Sequence, residues 1–381
     1  MQNTPLAGLK VIELARILAG PWVGQTLSDL GADVIKVESY EGDDTRRWGP
    51  PFIEVEGEKS AAYFHACNRG KRSICADFRT EEGRELVRKL VQDADVVIEN
   101  FKLGGLKKYQ LDYESLKQIN PRLIYCSITG FGQDGPYAER AGYDFMIQGM
   151  SGIMDLTGEP NGEPQKIGVA FADIFTGLYS VIGIQSALLM RERTGRGQHI
   201  DMALFDCMSA VLANQAMNYL ASGITPKRMG NAHPNISPYQ TLAVADGYFI
   251  IACGNDSQFA KLVDLLGEAS LAKDERFSTN SSRVANRIEL ADFLEAKTRQ
   301  WKRDELLTEL AKIGVPAGPI NTVADVFADP QFIVRGMKIE PQGVPGLRTP
   351  IRFSDAELKI DKRSPKLGED EVSIRAELGL K

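Results

Sequence analysis

Residues 9–38 read LKVIELARILAGPWVGQTLSDLGADVIKVE. The run Leu9-Lys10-Val11-Ile12-Glu13-Leu14 is short and rich in β-branched residues, which suit a pleated strand. The loop Ala15 to Pro21 contains Gly20-Pro21, and a helical run from Trp22 to Leu30 stops at Gly31. Glycine ends helices because it accepts the left-handed backbone of the closing turn. Ala32 to Glu38 is a second strand. The stretch predicts one βαβ unit with a right-handed crossover.

The pattern recurs downstream. Arg72 to Ala76 reads as a strand. Thr80 is placed to cap a helix whose first turn holds Glu81 and Glu82 and whose apolar stripe is Leu86, Val87, Leu90 and Val91. Asp95 to Ile98 and Leu123 to Ile128 are further strands. Alternating units predict an α/β fold: a Rossmann-like parallel sheet in a large domain, with helices on both faces. Residues 174–222 read as two long apolar helices around a polar connector, Arg191 to Gln198. Gly223 to Asn235 is a loop-rich break, and Gly247 to Ala252 is a strand after it. The predicted division is a large domain over 1–224, a small α+β domain over 225–325, and a segment over 326–381 that returns to the large domain and ends in a helix near Asp370 to Leu378.

Composition narrows the function. The 381 residues carry 45 Lys and Arg against 51 Asp and Glu, a net charge of −6, so nucleic acid is not an expected partner. Cys67, Cys75, Cys126, Cys207 and Cys253 are odd in number and widely spaced, which predicts reduced thiols and a cytoplasmic location rather than a disulfide framework. His65, His199 and His233 lie far apart, so no metal site is expected. Met1 to Leu9 lacks a basic stretch followed by an apolar core, so no secretory signal is expected. Ile174 to Met190 is apolar but short and holds Gln185, which predicts a helix buried in a large domain rather than a membrane span.

Nucleotide and hydrolase motifs are missing. No Walker loop and no G-x-S-x-G elbow occurs, and Gly195-Arg196-Gly197 lacks a third glycine and follows a helix. In Gly168-Val169-Ala170-Phe171-Ala172-Asp173-Ile174, a lone carboxylate opens a very apolar helix. Asp173 is either an N-cap bonded to free helix N–H groups or a carboxylate nucleophile with small neighbours that admit a substrate. Lys36, Arg69, Lys71, Arg72, Arg79, Lys102, Lys107 and Lys108 cluster in the first third. They are either a solvated surface or, beside Asn100-Phe101, a site for an anionic nucleotide at the strand ends. Gly230-Asn231-Ala232-His233-Pro234 with Pro238-Tyr239 is either a domain-crossing linker or a lid over a pocket.

Together these segments resemble the class III CoA-transferases (CaiB/BaiF), a family that includes formyl-CoA transferase, carnitine CoA-transferase and α-methylacyl-CoA racemase. The residues that carry the resemblance run through the whole chain: Pro5 to Leu14, Ala19-Gly20-Pro21, Leu30 to Glu38, Asn68 to Ser73, Val97 to Phe101, Thr194 to Gln198, Gly314 to Ile320 and Leu367-Gly368-Glu369. The resemblance implies Asp173 as nucleophile and a CoA thioester as substrate, with no prosthetic group. It implies CoA contacts at Leu18, Ala19, Ala76, Arg79, Asn100, Phe101, Lys102, Lys108 and Tyr143. Leu18 replaces the glutamine of formyl-CoA transferases, Ser39 replaces the family's adenine-side arginine, and Lys108 stands where arginine is usual. A substrate loop with Gly230, Asn231, His233 and Tyr239 looks most similar to transferases that use succinyl-CoA and dicarboxylic acids. The implied activity is CoA transfer from an acyl-CoA to a free carboxylic acid, with an interlocked homodimer as the assembly. A racemase is the alternative, but Tyr143 replaces its histidine and no glutamate lies in Pro234 to Gln240. A non-catalytic CoA-binding protein is the other alternative, and the intact Asp173 motif argues against it.

Overall fold

The computed structural model describes residues 3–380. The opening βαβ unit is strand β1 (Lys10–Glu13), helix α1 (Ala19–Asp29) and strand β2 (Asp33–Glu38). A hairpin follows, β3 (Phe52–Val55) and β4 (Glu58–Ala61). Then come β5 (Arg72–Cys75), α2 (Glu81–Gln92), β6 (Val96–Glu99) and β7 (Ile124–Thr129). Helices α3 (Asp144–Met150) and α4 (Phe171–Thr194) lead to β8 (His199–Ala203) and α5 (Leu204–Ala210). Six strands form one sheet in the order β5-β2-β1-β6-β7-β8, and every pair in it is parallel.

The alternation of side chains builds two cores. Val11, Val34, Val96, Ile98, Ile124 and Cys126 face Ala19, Val23 and Leu27 of α1 and Val181, Ile184 and Ala187 of α4. Ile12, Ile35, Ile74, Val97 and Tyr125 face Leu86, Val87, Leu90 and Val91 of α2. Thr80 caps α2 by accepting the Gly83 N–H at 3.1 Å. The last helix spans Glu371–Glu377 and packs Ile374 into the second core.

The connector after Thr194 corrects the expectation of two long helices. Helix α4 closes on Gly195, at φ 70°, and β8 completes the sheet before α5. His199-Ile200-Asp201-Met202-Ala203 alternates polar and apolar, but its five residues are too few to stand out in a sequence flanked by apolar helices. Helix α4 also departs from the expectation of full burial. It is the one helix among the described residues long and apolar enough to cross a membrane, yet it is buried on one side only. Leu178, Ile182 and Leu189 lie exposed along its other side, because one helix can turn only one stripe to the sheet.

The chain divides into two compact units: 1–153 with 166–217 and 330–381, and 154–165 with 218–329. The second unit holds an antiparallel sheet of Tyr239–Val244, Gly247–Ala252 and Ala317–Pro319. Phe249, Ile251, Phe259, Leu262, Leu290 and Leu306 form its core. The five cysteines are free and buried.

Candidate active site

Strand order reverses between β1 and β6, so their connections leave in opposite directions and open a crevice at the strand ends. Asn100, just past β6, bridges it. Its side-chain carbonyl accepts the Arg16 N–H at 3.0 Å, and its amide donates to the Arg16 carbonyl at 2.6 Å. The next residue, Ile17, holds a left-handed backbone at φ 73°. A β-branched residue there is strained by about 1–3 kcal/mol and persists only where its surroundings hold it. Here Asp43 accepts the Ile17 N–H at 3.2 Å.

A buried charge network supports this loop. Lys36 Nζ lies 3.0 Å from Glu13 and 3.0 Å from Asp43, and donates to the Ala15 carbonyl at 2.8 Å. Burial opposes the Lys36 charge, but Asp43 and Glu13 more than offset it and raise its pKa. Lys71 Nζ lies 2.8 Å from Glu13, and donates to Asn68 at 2.7 Å and to the Pro21 carbonyl at 2.9 Å. Arg46 grips Glu38 through two bonds, at 2.8 and 2.7 Å. Arg69 pairs with Asp29, and Arg72 with Asp33 and Glu377. Lys36, Lys71 and Arg69 are therefore neither solvated surface nor free to meet a nucleotide, as the sequence reading allowed. They are neutralised inside the fold, and nothing in their sequence spacing signals the carboxylates that meet them.

A cleft of about 500 Å³ opens at the ends of β1, β2, β5 and β6. Ala76, Arg79, Phe101 and Tyr109 line it, beside Arg16 and Tyr40. Arg79 is exposed and clamps Asp77 at 2.9 Å. Lys108 Nζ stands 4.7 Å from the centre of the Tyr109 ring. Lys102 lines a neighbouring cleft of about 370 Å³ instead, with Glu99, Ser127 and His199. Leu18 and Ala19 are buried at the start of α1, so their side chains serve the core and only their backbone is available to a ligand. Tyr143 is exposed at the start of α3.

Asp173 is not the N-cap of α4. The N-cap is Ala170, which has no capping side chain, and Asp173 sits three positions on. The cap comes from another helix. Asp144 Oδ1 accepts the Ala172 N–H at 2.8 Å and the Asp173 N–H at 3.4 Å. Asp144 Oδ2 accepts from Gln148 Nε2 at 2.8 Å, and Gln148 Oε1 accepts the Ile167 N–H at 2.9 Å. Residues 167–173 are thereby tied to one turn of α3. The Asp173 carboxyl itself makes no hydrogen bond or ion pair among the described residues. Loss of water contact, and then the Asp144 charge, push its pKa up to about 7. The negative charge of Asp173 acts in turn on Tyr63, whose hydroxyl is raised to about 12, chiefly by burial. Asp144, Gln148 and Tyr63 escaped the sequence reading of the site: Tyr143-Asp144 precedes Asp173 by about thirty residues, and no local spacing links them.

In the second unit, the loop with Gly230, Asn231, His233 and Tyr239 folds on itself. The His233 N–H donates to the Tyr239 carbonyl at 2.9 Å, and their rings lie 5.2 Å apart. Asn231 Nδ2 donates to Thr241 at 3.3 Å, and Gly230 takes φ 60°. Arg287 fixes the loop by donating to the carbonyls of His233 at 2.9 Å and Pro234 at 2.8 Å. Arg283, fully buried, holds the Ser237 carbonyl at 2.7 Å.

Comparison with known proteins gives the family. The model of CoA-transferase family III matches residues 6–371. The chain is 59% identical to the succinate–glutarate CoA-transferase of Agrobacterium fabrum, over 99% of this chain and 96% of that protein. It is 41% identical to the acetyl-CoA:oxalate CoA-transferase of Acetobacter aceti, over 98% of this chain and 95% of that one. The crystal structure of a CaiB/BaiF family protein from Brucella suis is 84% identical and superposes with a TM-score of 0.91, covering 99% of this chain and 100% of that chain. The chain belongs to CoA-transferase family III and is a CoA-transferase.

Proposed function

We propose that the enzyme moves CoA from succinyl-CoA or a similar acyl-CoA to a short free dicarboxylate, with Asp173 as the nucleophile. The observation that carries this reading is the Asp173 carboxyl, unpartnered at a helix end whose N–H groups Asp144 already occupies. The dicarboxylate preference follows the relative from Agrobacterium fabrum.

Each step exchanges one activated carboxyl for another. The Asp173 carboxylate attacks the thioester carbonyl, the C–S bond breaks, and CoA leaves as a thiolate from an aspartyl–acyl anhydride. The thiolate attacks the aspartyl carbonyl and releases the donor acid as a carboxylate, leaving an aspartyl–CoA thioester. The acceptor carboxylate attacks that thioester and again expels the thiolate. The thiolate then takes the acceptor's acyl carbon, and Asp173 is a carboxylate once more. Water must stay out, because anhydrides hydrolyse.

In this reading the cleft with Ala76, Arg79 and Phe101 takes the nucleotide end of CoA, and Lys108 meets a phosphate as a point charge. Leu18, Ala19, Asn100 and Tyr143 border the rest of its path, Lys102 adds its charge from the neighbouring cleft, and the loop with Gly230, Asn231, His233 and Tyr239 selects the acid. The enzyme works in the cytoplasm as an interlocked homodimer, off the membrane. The exposed apolar rows support the dimer: Leu178, Ile182 and Leu189 in one unit, Tyr219, Leu220 and Ile224 in the other.

The test combines succinyl-CoA with glutarate, malate, citramalate, itaconate, oxalate, formate and carnitine, and follows new thioesters by mass spectrometry. A dicarboxyl-CoA formed by the native enzyme and absent with Asp173→Ala is the expected result. Transfer that survives Asp173→Ala rejects Asp173. Loss of α-proton from a branched acyl-CoA without any transfer rejects the transferase chemistry in favour of a racemase.

A further inference from the structure

The same helical position occurs twice in this chain with opposite outcomes. Asp325 is the third residue of the helix Val323–Ala328, and Asp173 is the third residue of α4. Asp325 folds back on its own helix end. It accepts the Thr322 N–H at 2.8 Å and the Thr322 hydroxyl at 2.7 Å, and these bonds lower its pKa. This is the ordinary fate of an acid at that position, where the free N–H groups and the positive end of the helix dipole favour the anion. Asp173 makes no such bond: its N-cap residue, Ala170, brings no hydroxyl, and the two helix-end N–H groups nearest its carboxyl are already taken. Asp144 holds the N–H groups of Ala172 and Asp173, and Gln148 holds Asp144.

Resting on Asp173 as the nucleophile, we infer that Asp144 is its positioning residue: by occupying the helix-end donors it leaves the Asp173 carboxylate unbound and free to attack a thioester. A carboxylate tied to N–H groups would be a weaker nucleophile, because its charge would already be stabilised before the transition state. Asp144 also places a like charge beside Asp173, which raises the energy of the anion in the ground state. The groups that bear on Asp173 are Asp144 from α3 and Tyr63 from the short helix Ala62–His65; Asp43 and Cys67 act on Tyr63 behind it. Among the described residues, no cation offsets the Asp144 charge on Asp173.

The experiment measures kcat/KM for CoA transfer against pH in the native enzyme, Asp144→Asn and Asp144→Ser. Asparagine keeps an oxygen for the helix end and removes the charge; serine is a smaller neutral acceptor. In both, the acid limb is expected to move to lower pH by about half a unit or more. The kcat at pH 8.5 is expected to fall about 10- to 100-fold in Asp144→Ser, which releases the helix-end donors to Asp173, and to change little in Asp144→Asn, which keeps them occupied. Asp325→Asn serves as the control and leaves both unchanged. An acid limb that stays in place in folded variants, judged by circular dichroism melts, overturns the inference. If neither variant folds, Gln148→Met, which releases Asp144 Oδ2 from its partner on the same helix, takes their place, and a kcat at pH 8.5 that does not fall overturns the inference. Failure of the nucleophile reading looks different, because transfer would then persist in Asp173→Ala at every pH.

Discussion

Gly24 lies inside α1, where alanine would ordinarily stabilise the helix by about 1 kcal/mol. The prediction here has the opposite sign. A Cβ at Gly24 overlaps Oε2 of Glu13 and comes within 3.0 Å of its Cδ and 3.1 Å of Lys71 Cε. The Glu13 side chain cannot simply swing aside. It is fully buried and holds both Lys36, at 3.0 Å, and Lys71, at 2.8 Å. Displacing it leaves two buried ammonium groups short of a counter-charge, and breaking a buried pair in this way costs about 3–5 kcal/mol. Set against the helix gain, Gly24→Ala should destabilise the parallel-sheet unit by about 2–4 kcal/mol. For a unit of this size that is a melting point lower by about 5–10 °C. Differential scanning calorimetry reads it, with Gly183→Ala in α4 as the control. There the new Cβ meets only the Ile200 side chain, at 3.5 Å and 3.9 Å in ordinary contact, and the melt should hold or rise. Because the network supports the Ala15–Ile17 loop, Gly24→Ala should also raise the KM for the acyl-CoA. A Gly24→Ala protein that melts with or above the native one would refute the claim that Glu13 is pinned.

Other outcomes follow from the same geometry. Asn100→Ala removes both bonds to Arg16, so the KM for the acyl-CoA should rise about tenfold or more with little change in kcat; equal kcat and KM in steady-state assays would contradict the clasp. Arg79→Ala should weaken CoA binding and flatten its salt dependence in titration calorimetry, since Arg79 is an exposed cation at the cleft. His65 is held neutral between Ser60 and Ser364, and burial lowers its pKa to about 4. Its ordinary value is 6.5, so below that pH the unfolded chain takes the proton first. The stability His65 provides is whole above about pH 6.5 and drains away down to about pH 4. His65→Gln should flatten that part of the melting-point profile.

The sheet was legible because its signals are local. Strand-sized β-branched runs, the Thr80 cap and the Gly31 stop each occupy a few neighbouring residues, and the structure places β1, β2, β5, β6 and β7 on them. Strand β8 was not legible, because five alternating residues between apolar helices carry too little pattern to stand out. Ala76, Arg79 and Phe101, which the family resemblance singles out, line one cleft at the strand ends. The environment of Asp173 was not legible, because its cap comes from Asp144 on another helix. Lys36, Lys71 and Arg69 misled for the same reason. A basic residue in sequence looks like a surface or a ligand site until the fold brings a carboxylate to it, and here Glu13, Asp43 and Asp29 do so.

Asp173 as covalent nucleophile is the central claim, and oxygen transfer tests it most directly. The enzyme is turned over with succinyl-CoA and an acceptor dicarboxylate labelled with ¹⁸O, and the peptide carrying Asp173 is weighed. An anhydride between acceptor and Asp173 must leave one acceptor oxygen on the aspartate when the thiolate departs with the acyl carbon. Heavy oxygen in Asp173, followed by its appearance in the released succinate, is the result this mechanism predicts. New thioester formed with no label in Asp173 or in succinate would contradict it.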